Sequence, residues 1–294
     1  MTGVPVRYKT AREDSARWDG FEFRLGDIVI SARSRSGTTW MQMICALLVF
    51  QDPELPAPLS ELSSWLDWRT TPLDQVLAAL SAQRHRRFIK THTPLDGLPS
   101  DDRVTYIVVA RHPLDAAVSL YGHYLNLDVR RLSQLQGLPD PGPAAPPAPL
   151  RDWLLSWIAS DARPEEQPDS LAGYIRHAAD AWSRRDAPNV VLAHYADLSA
   201  DLPGEMRRLA GWLGIDVRAG RWPVLVSAAS FPHMRARASR LAQGPPGILL
   251  DDAEFFRRGR SGAGRGALSA AEISDYQAKV SSMAPADALA WLHH

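Results

Sequence analysis

The run Asp27-Ile-Val-Ile leads directly into Ser31-Ala-Arg-Ser-Arg-Ser-Gly-Thr-Thr-Trp40. An apolar strand that passes through a short glycine-containing turn into a helix opening on two threonines admits few architectures. The first amides of such a helix have no partners within it, and the helix dipole places partial positive charge there. The loop is therefore a ready seat for a phosphate group. Read without a ligand, the same run is a strand, a tight turn and a helix; a short motif leaves both readings open.

The loop comes close to a Walker A sequence and departs from it at one place. Walker A requires Gly-x-x-x-x-Gly-Lys-Ser/Thr, with the lysine on the outer phosphates and the hydroxyl on Mg²⁺. Here Ala32, Gly37, Thr38 and Thr39 stand at the matching positions, so a threonine replaces the lysine. The positive charge has moved to Arg35. Such a loop can hold a phosphate without the usual triphosphate grip.

A chain of 294 residues, 45% apolar, suffices for one large α/β domain or two small ones. Its formal net charge of zero gives no global electrostatic case for nucleic acid or an anionic membrane surface. Cys45 is the only cysteine, which excludes an internal disulfide and a cysteine-based zinc site. It follows a helical apolar pattern and reads as a small buried hydrophobe. The segment Met1-Thr-Gly-Val-Pro lacks a signal-peptide core, and no apolar run reaches membrane-spanning length, so the expected location is cytoplasmic. Only Lys9, Lys90 and Lys279 are lysines; the arginine- and alanine-rich usage points to a GC-rich, bacterial genome.

Strands and helices alternate along the chain. Strands are expected at 26–30, 87–90, 104–110 and 189–194. Helices are expected at 38–50 (with Trp40, Ile44, Leu47 and Leu48 on one side), at 114–127 behind Pro113, and at 203–213 before Gly214. Apolar strands without alternation, separated by helices, indicate a parallel sheet covered on both faces. The expected fold is a three-layer α/β/α sandwich, one domain over residues 1–294, with phosphates bound at the carboxyl ends of the strands. The segment Pro139-Asp-Pro-Gly-Pro-Ala-Ala-Pro-Pro-Ala-Pro149 cannot be helix interior and reads as an extended loop, either a linker or a substrate-side lid.

Three further constellations carry chemistry. In Arg87-Phe-Ile-Lys-Thr-His-Thr-Pro, a strand delivers Lys90 and His92 to its carboxyl end, where a histidine can take a proton at neutral pH. Alone, a histidine in such a place more often caps or hydrogen-bonds than takes a proton in catalysis. The buried strand Tyr106-Ile-Val-Val-Ala ends in Arg111, followed by a helix that carries Ser119; an arginine there suits bidentate phosphate recognition, or a pair with Asp115. Phe255-Phe-Arg-Arg-Gly-Arg-Ser-Gly-Ala-Gly-Arg-Gly sets arginines among glycines, which lets backbone amides wrap an anion, and otherwise is a solvated basic loop. Trp40 and Phe231 offer faces for a purine, or belong to the core.

Taken in order, these segments resemble the sulfotransferases that use 3′-phosphoadenosine 5′-phosphosulfate (PAPS). The first loop is similar to their 5′-phosphosulfate pattern Pro-Lys-Ser-Gly-Thr-Thr-Trp from Ser36 to Trp40, departing at Ser34 and Arg35. Lys90-Thr-His-x-Pro resembles their catalytic-base motif, the Arg111 to Ser119 spacing their 3′-phosphate motif, and 257–265 their C-terminal motif, with Ala263 and Gly264 in place of Asp and Trp. Ser230-Phe231 and Met234 match a nucleotide-contacting segment, as does Tyr195 after the last strand.

The resemblance implies His92 as general base, with Lys90 and Arg35 at the reaction centre. It implies Arg35, Ser36, Gly37, Thr38, Thr39, Trp40, Arg111, Ser119, Tyr195, Ser230, Phe231, Met234, Arg257, Arg258 and Gly259 as residues that bind PAPS or its product, adenosine 3′,5′-diphosphate (PAP), without a metal. The acceptor is expected to be a small hydroxyl compound, aromatic or alicyclic, on the strength of Trp65, Trp68, Tyr121, Tyr124, Trp153 and Trp157. Neither nucleic acid nor membrane is an expected partner, and a homodimer is admissible. Two other readings remain at this point. One is a nucleotide-binding relative with little turnover, because Arg35 replaces the family lysine; the other is a P-loop kinase.

Overall fold

The computed structural model describes residues 4–142, 146–241, 247–257, 259 and 261–294. Its centre is a four-stranded sheet: β1 (Ile28–Ala32), β2 (Phe88–Thr91), β3 (Thr105–Ala110) and β4 (Val190–His194). The order is β2-β1-β3-β4 and every pairing is parallel. Parallel neighbours require crossovers, and here helices make them, so both faces are covered.

Alternate residues of each strand enter different cores. Ile28, Ile30, Phe88, Ile107, Val109 and Val191 pack with the helices Thr38–Phe50, Leu202–Trp212 and Trp222–Ala229. Val29, Ile89, Tyr106, Val108 and Val190 pack on the other face against Trp18, Val76 and Leu80. A further cluster joins the helices Pro113–Leu125, Leu150–Ala159, Leu171–Ser183 and Ala270–Ser281. This is the three-layer architecture expected from the sequence, with strand and helix ends moved by one or two residues.

The helix Thr38–Phe50 is buried nearly all round rather than on one side: Thr38, Thr39 and every residue from Met41 to Leu48 are buried, Cys45 among them. It runs through the core rather than along its surface. Pro113 occupies the first turn of its helix, as its missing N–H allows, with the His112 side chain accepting from Leu114 N–H. The helix Leu202–Trp212 ends at Gly214, whose φ of 62° is left-handed. Of the proline-rich stretch, residues 143–145 lie outside the described residues; the described part has no regular secondary structure up to the helix that starts at Leu150.

The sheet register brings the carboxyl ends together. Ala32 pairs with Val109, and Ala110 with His194. The chain segments that leave β1, β2, β3 and β4 therefore emerge side by side, and they carry Arg35, His92, Arg111 and Tyr195.

Candidate active site

A cavity of about 730 Å³ opens above those strand ends. Its wall includes Arg35, Gly37, Thr38, Thr39 and Trp40 from the first loop, and Lys90 and His92 from the second strand. Arg111, Ser119, Tyr195, Phe231, Met234, Arg257 and Gly259 complete that side. Segments separated by more than two hundred residues are thus gathered on one space. Ser36 is buried beneath the loop and Ser230 caps the helix Phe231–Ala236; neither is in the cavity wall. Arg258 lies outside the described residues.

The loop turns through two left-handed residues, Arg35 at φ 63° and Gly37 at φ 107°. At Gly37 there is also no room for a side chain, since a Cβ would lie 3.1 Å from the Tyr195 ring. Tyr195 is wedged between Gly37, the edge of Trp40 at 5.2 Å and the Arg111 guanidinium 4.1 Å from its ring centroid. Arg111 donates to the Arg35 carbonyl at 3.1 Å, so the third strand end also fixes the loop backbone.

The Arg35 side chain reaches across the site. Its Nε donates to Ser119 Oγ at 3.1 Å and one terminal nitrogen donates to the Phe255 carbonyl at 2.6 Å. Burial and the neighbouring Arg111 push its guanidinium down to about 10, with Arg257 adding to the effect; it remains charged at neutral pH. Several cations crowded into one buried space favour an anion of more than one charge there. Gly259, at φ 59°, passes so close to Phe231 that a Cβ would lie 2.6 Å from the ring. Trp40 is held edgewise by a hydrogen bond from Nε1 to the Ala229 carbonyl at 2.8 Å.

On the opposite side, His92 Nδ1 donates to the Ala32 carbonyl. That bond leaves Nε2 with its lone pair, the tautomer a proton acceptor needs. Burial, with Lys90 and Arg33 nearby, holds the imidazole well below its usual range, so it is neutral at physiological pH. Lys90 Nζ lies 3.6 Å from the centroid of the Trp65 ring. Burial pushes its ammonium down to about 7, against the pull of Glu13 and Asp67.

The sequence of residues 25–281 matches the sulfotransferase domain family. The chain is 42% identical to a glycolipid sulfotransferase of Mycobacterium bovis, over 98% of this chain and 94% of that protein. The chain belongs to the sulfotransferase family. A Mycobacterium tuberculosis glycolipid sulfotransferase matches at the same identity and coverage, and rat sulfotransferase 1A1 at 24% over 95% of this chain and 91% of its own. The fold agrees with solved structures: a retinol dehydratase in complex with androsterone and the inactive cofactor PAP has a TM-score of 0.67 at 22% identity, covering 92% of this chain and 83% of its own. A mouse sulfotransferase complexed with PAP gives 0.66 at 20%, covering 91% and 87%.

In this sulfotransferase, polar residues that no motif announced lie at or behind the cavity wall. Asp67 accepts from Thr91 Oγ1 at 2.5 Å and Thr93 Oγ1 at 2.7 Å, bracketing His92 on either side. Trp65 meets His92 edge-on at 4.6 Å and stacks on Trp68 at 4.2 Å. His123 and the Glu13 carboxyl, which burial raises above its ordinary range, also line the cavity. Asp115 does not pair with Arg111 as one reading allowed: it accepts from the backbone N–H groups of Gly262 and Gly264 at 2.7 and 2.8 Å. The C-terminal loop is thereby anchored despite Ala263 and Gly264. Of the aromatic residues expected near an acceptor, Trp65, Trp68, Tyr124, Trp153 and Trp157 are in the wall; Tyr121 instead donates to the Ala148 carbonyl at 2.7 Å. No described residue of 139–149 lines the cavity, so the lid reading finds no contact there. Among the described residues no cluster of three or more His, Cys, Asp or Glu is placed to hold a metal ion, and no helix is long and apolar enough to cross a membrane.

Proposed function

We propose that the protein moves a sulfuryl group from PAPS to a hydroxyl of a glycolipid or related hydroxyl compound, with His92 as general base. The observation that carries this reading is the shared cavity: a cation-lined phosphate loop and a neutral, tautomer-fixed histidine open on one space. The residues fit the nucleotide. Loop amides at Gly37 to Thr39 and the Arg35 guanidinium suit the 5′-phosphosulfate. Arg111, Ser119 and Arg257 suit the 3′-phosphate, and Trp40 with Phe231 the adenine.

In the reaction so read, the acceptor hydroxyl gives its proton to His92 Nε2, its oxygen bonds to sulfur, and the S–O bond to the 5′-phosphate breaks. Lys90 and Arg35 meet the charge that grows on the leaving oxygen, a contribution of about 3 kcal/mol per well-aimed donor. The acceptor side, with the Asp169 and Glu13 carboxyl groups beside aromatic rings, supports a head group richer in hydroxyls than the aromatic or alicyclic compound expected from the sequence, in line with the glycolipid relatives. A low-turnover reading keeps one observation in its favour, the engagement of Arg35 by Ser119 and Phe255.

Calorimetric titration with PAP, beside ATP and Mg²⁺, tests the nucleotide site. Selective binding of PAP is expected; preference for ATP would return the chain to the kinase reading. Transfer of labelled sulfate from PAPS to an alkyl glycoside then separates an active enzyme from a low-turnover relative.

A further inference from the structure

Two Arg–Asp pairs in this molecule are built differently. Arg87 and Asp27 are both buried; Asp27 takes two guanidinium nitrogens and, through Oδ2, the Arg24 N–H as well, so its oxygens are all engaged. That pair is closed and structural. Arg33 is as deeply buried, with 3% of its side chain exposed, but its partner Asp169 is 29% exposed on the cavity wall. Only Oδ1 of Asp169 is taken, by an Arg33 nitrogen at 2.7 Å. Oδ2 has no hydrogen bond among the described residues.

Both residues are held in place. The Asp169 carbonyl accepts from Trp157 Nε1 at 2.8 Å, which fixes the backbone. The other arm of Arg33 donates to the His92 carbonyl. One buried guanidinium therefore joins the base-bearing segment to a carboxylate on the acceptor side of the cavity. Burial works against the Arg33 charge, yet Asp169 and Glu13 outweigh it. The Glu13 carboxyl shares that wall and likewise has no hydrogen bond among the described residues. A preorganised carboxylate oxygen facing a water-accessible cavity is an acceptor waiting for a donor, and ligand hydroxyls bond strongly to it.

We infer that Asp169 is a specificity-determining residue that binds a second hydroxyl of the acceptor, and that Arg33 is the positioning residue that sets this contact relative to His92. The inference rests on the transferase reading above. It selects acceptors with several hydroxyls, such as a sugar ring, over simple alcohols with the same apolar tail.

The test is PAPS-dependent transfer to octyl β-glucoside and to 1-octanol, which share the tail and differ in the ring. The wild type is expected to prefer the glucoside. Asp169→Asn, which keeps the shape and turns the free acceptor into an amide, is expected to cut the ratio of the two kcat/KM values about ten- to hundredfold, mainly through the glucoside KM. Arg33→Lys, whose single ammonium cannot hold both oxygens, is expected to lower the same ratio. PAP affinity, measured by calorimetry, is expected to stay unchanged in Asp169→Asn and shows that the variant is folded. An equal fall for both acceptors, or an unchanged ratio, would overturn the inference and leave the transferase reading intact. Bound PAP with transfer to neither alcohol by the wild type would overturn that reading and this one with it.

Discussion

Lys90 Nζ stands 3.6 Å from the centroid of the Trp65 ring, and the aromatic face takes the place of the water that a lysine normally keeps. The ammonium is pushed down to about 7 by burial. Its charge is present below that pH and is lost as pH rises through it. If Lys90 meets charge on the leaving oxygen as proposed, kcat/KM for PAPS is expected to fall toward tenfold per unit above about pH 7. Lys90→Arg, which does not titrate in this range, is expected to remove the alkaline limb. A wild-type profile flat through pH 9 would exclude Lys90 as the titrating group.

The same placement has a thermodynamic signature. The folded pKa lies below the unfolded one, so the unfolded chain binds a proton between the two that the folded chain does not. The burden is full below about pH 7 and vanishes as pH rises past the unfolded value. Lys90→Met is therefore expected to raise stability at neutral pH by on the order of a few kcal/mol while lowering activity. Thermal unfolding at pH 7 and at pH 10 checks it; the gain should shrink at the higher pH.

His92 is committed by its hydrogen bond to the Ala32 carbonyl to hold its free lone pair on Nε2. His92→Ala is expected to lower kcat by about 10²–10⁴-fold and to leave PAP affinity near the wild-type value, since the residues proposed to bind the nucleotide lie outside its segment. Undiminished turnover in this variant would sink the general-base assignment.

Arg35 presents a planar fork where the resemblance leads one to expect a lysine, and that fork already holds Ser119 and the Phe255 carbonyl. Arg35→Lys keeps the charge and frees it from this geometry, so kcat is expected to stay or to rise. Arg35→Ala removes one donor to the leaving group and is expected to lower kcat by about 10²-fold or more. Single-turnover kinetics with both variants separates the two; a large loss in Arg35→Lys would show that the fork itself is required.

What the sequence made legible was whatever repeats or clusters locally. The four apolar runs had to be buried parallel strands, and Gly37 between a strand and two threonines had to be a turn into a helix. The strand ends then share one edge, which brings Arg35, Lys90, His92 and Arg111 together. On the proposed acceptor side the aromatic residues are legible, Trp65, Trp68, Tyr124, Trp153 and Trp157 lining the cavity as expected, but the polar contacts behind them are not. Arg33 and Asp169 are 136 residues apart, and Asp67 meets Thr91 and Thr93 from a segment with no motif. Such pairings are made by the fold, and neither periodicity nor spacing records them. Asp115 was visible as a charge in a first helical turn, but its partners are backbone N–H groups near the other end of the chain, which no residue type betrays.

The seat of Arg257 gives a test that leaves every charge in place. Its guanidinium lies against Gly122 in the helix Pro113–Leu125, where a Cβ would fall 2.1 Å from one terminal nitrogen, and it donates to the Val118 carbonyl at 3.3 Å. Gly122 sits in helical backbone, so Gly122→Ala is favourable for the helix itself, by roughly 1 kcal/mol. The added methyl must displace Arg257, a flexible side chain that can yield without unfolding the protein. The variant is therefore expected to keep or gain thermal stability while PAP affinity falls about tenfold, the worth of one misplaced charge-assisted hydrogen bond. Arg257→Ala should produce a similar loss, and the double variant little more than either alone, because both act on one contact. Calorimetric PAP titration of the three proteins decides it. Additive losses, or an unchanged Kd in Gly122→Ala, would show that the position of Arg257 against this helix is not the one the nucleotide uses.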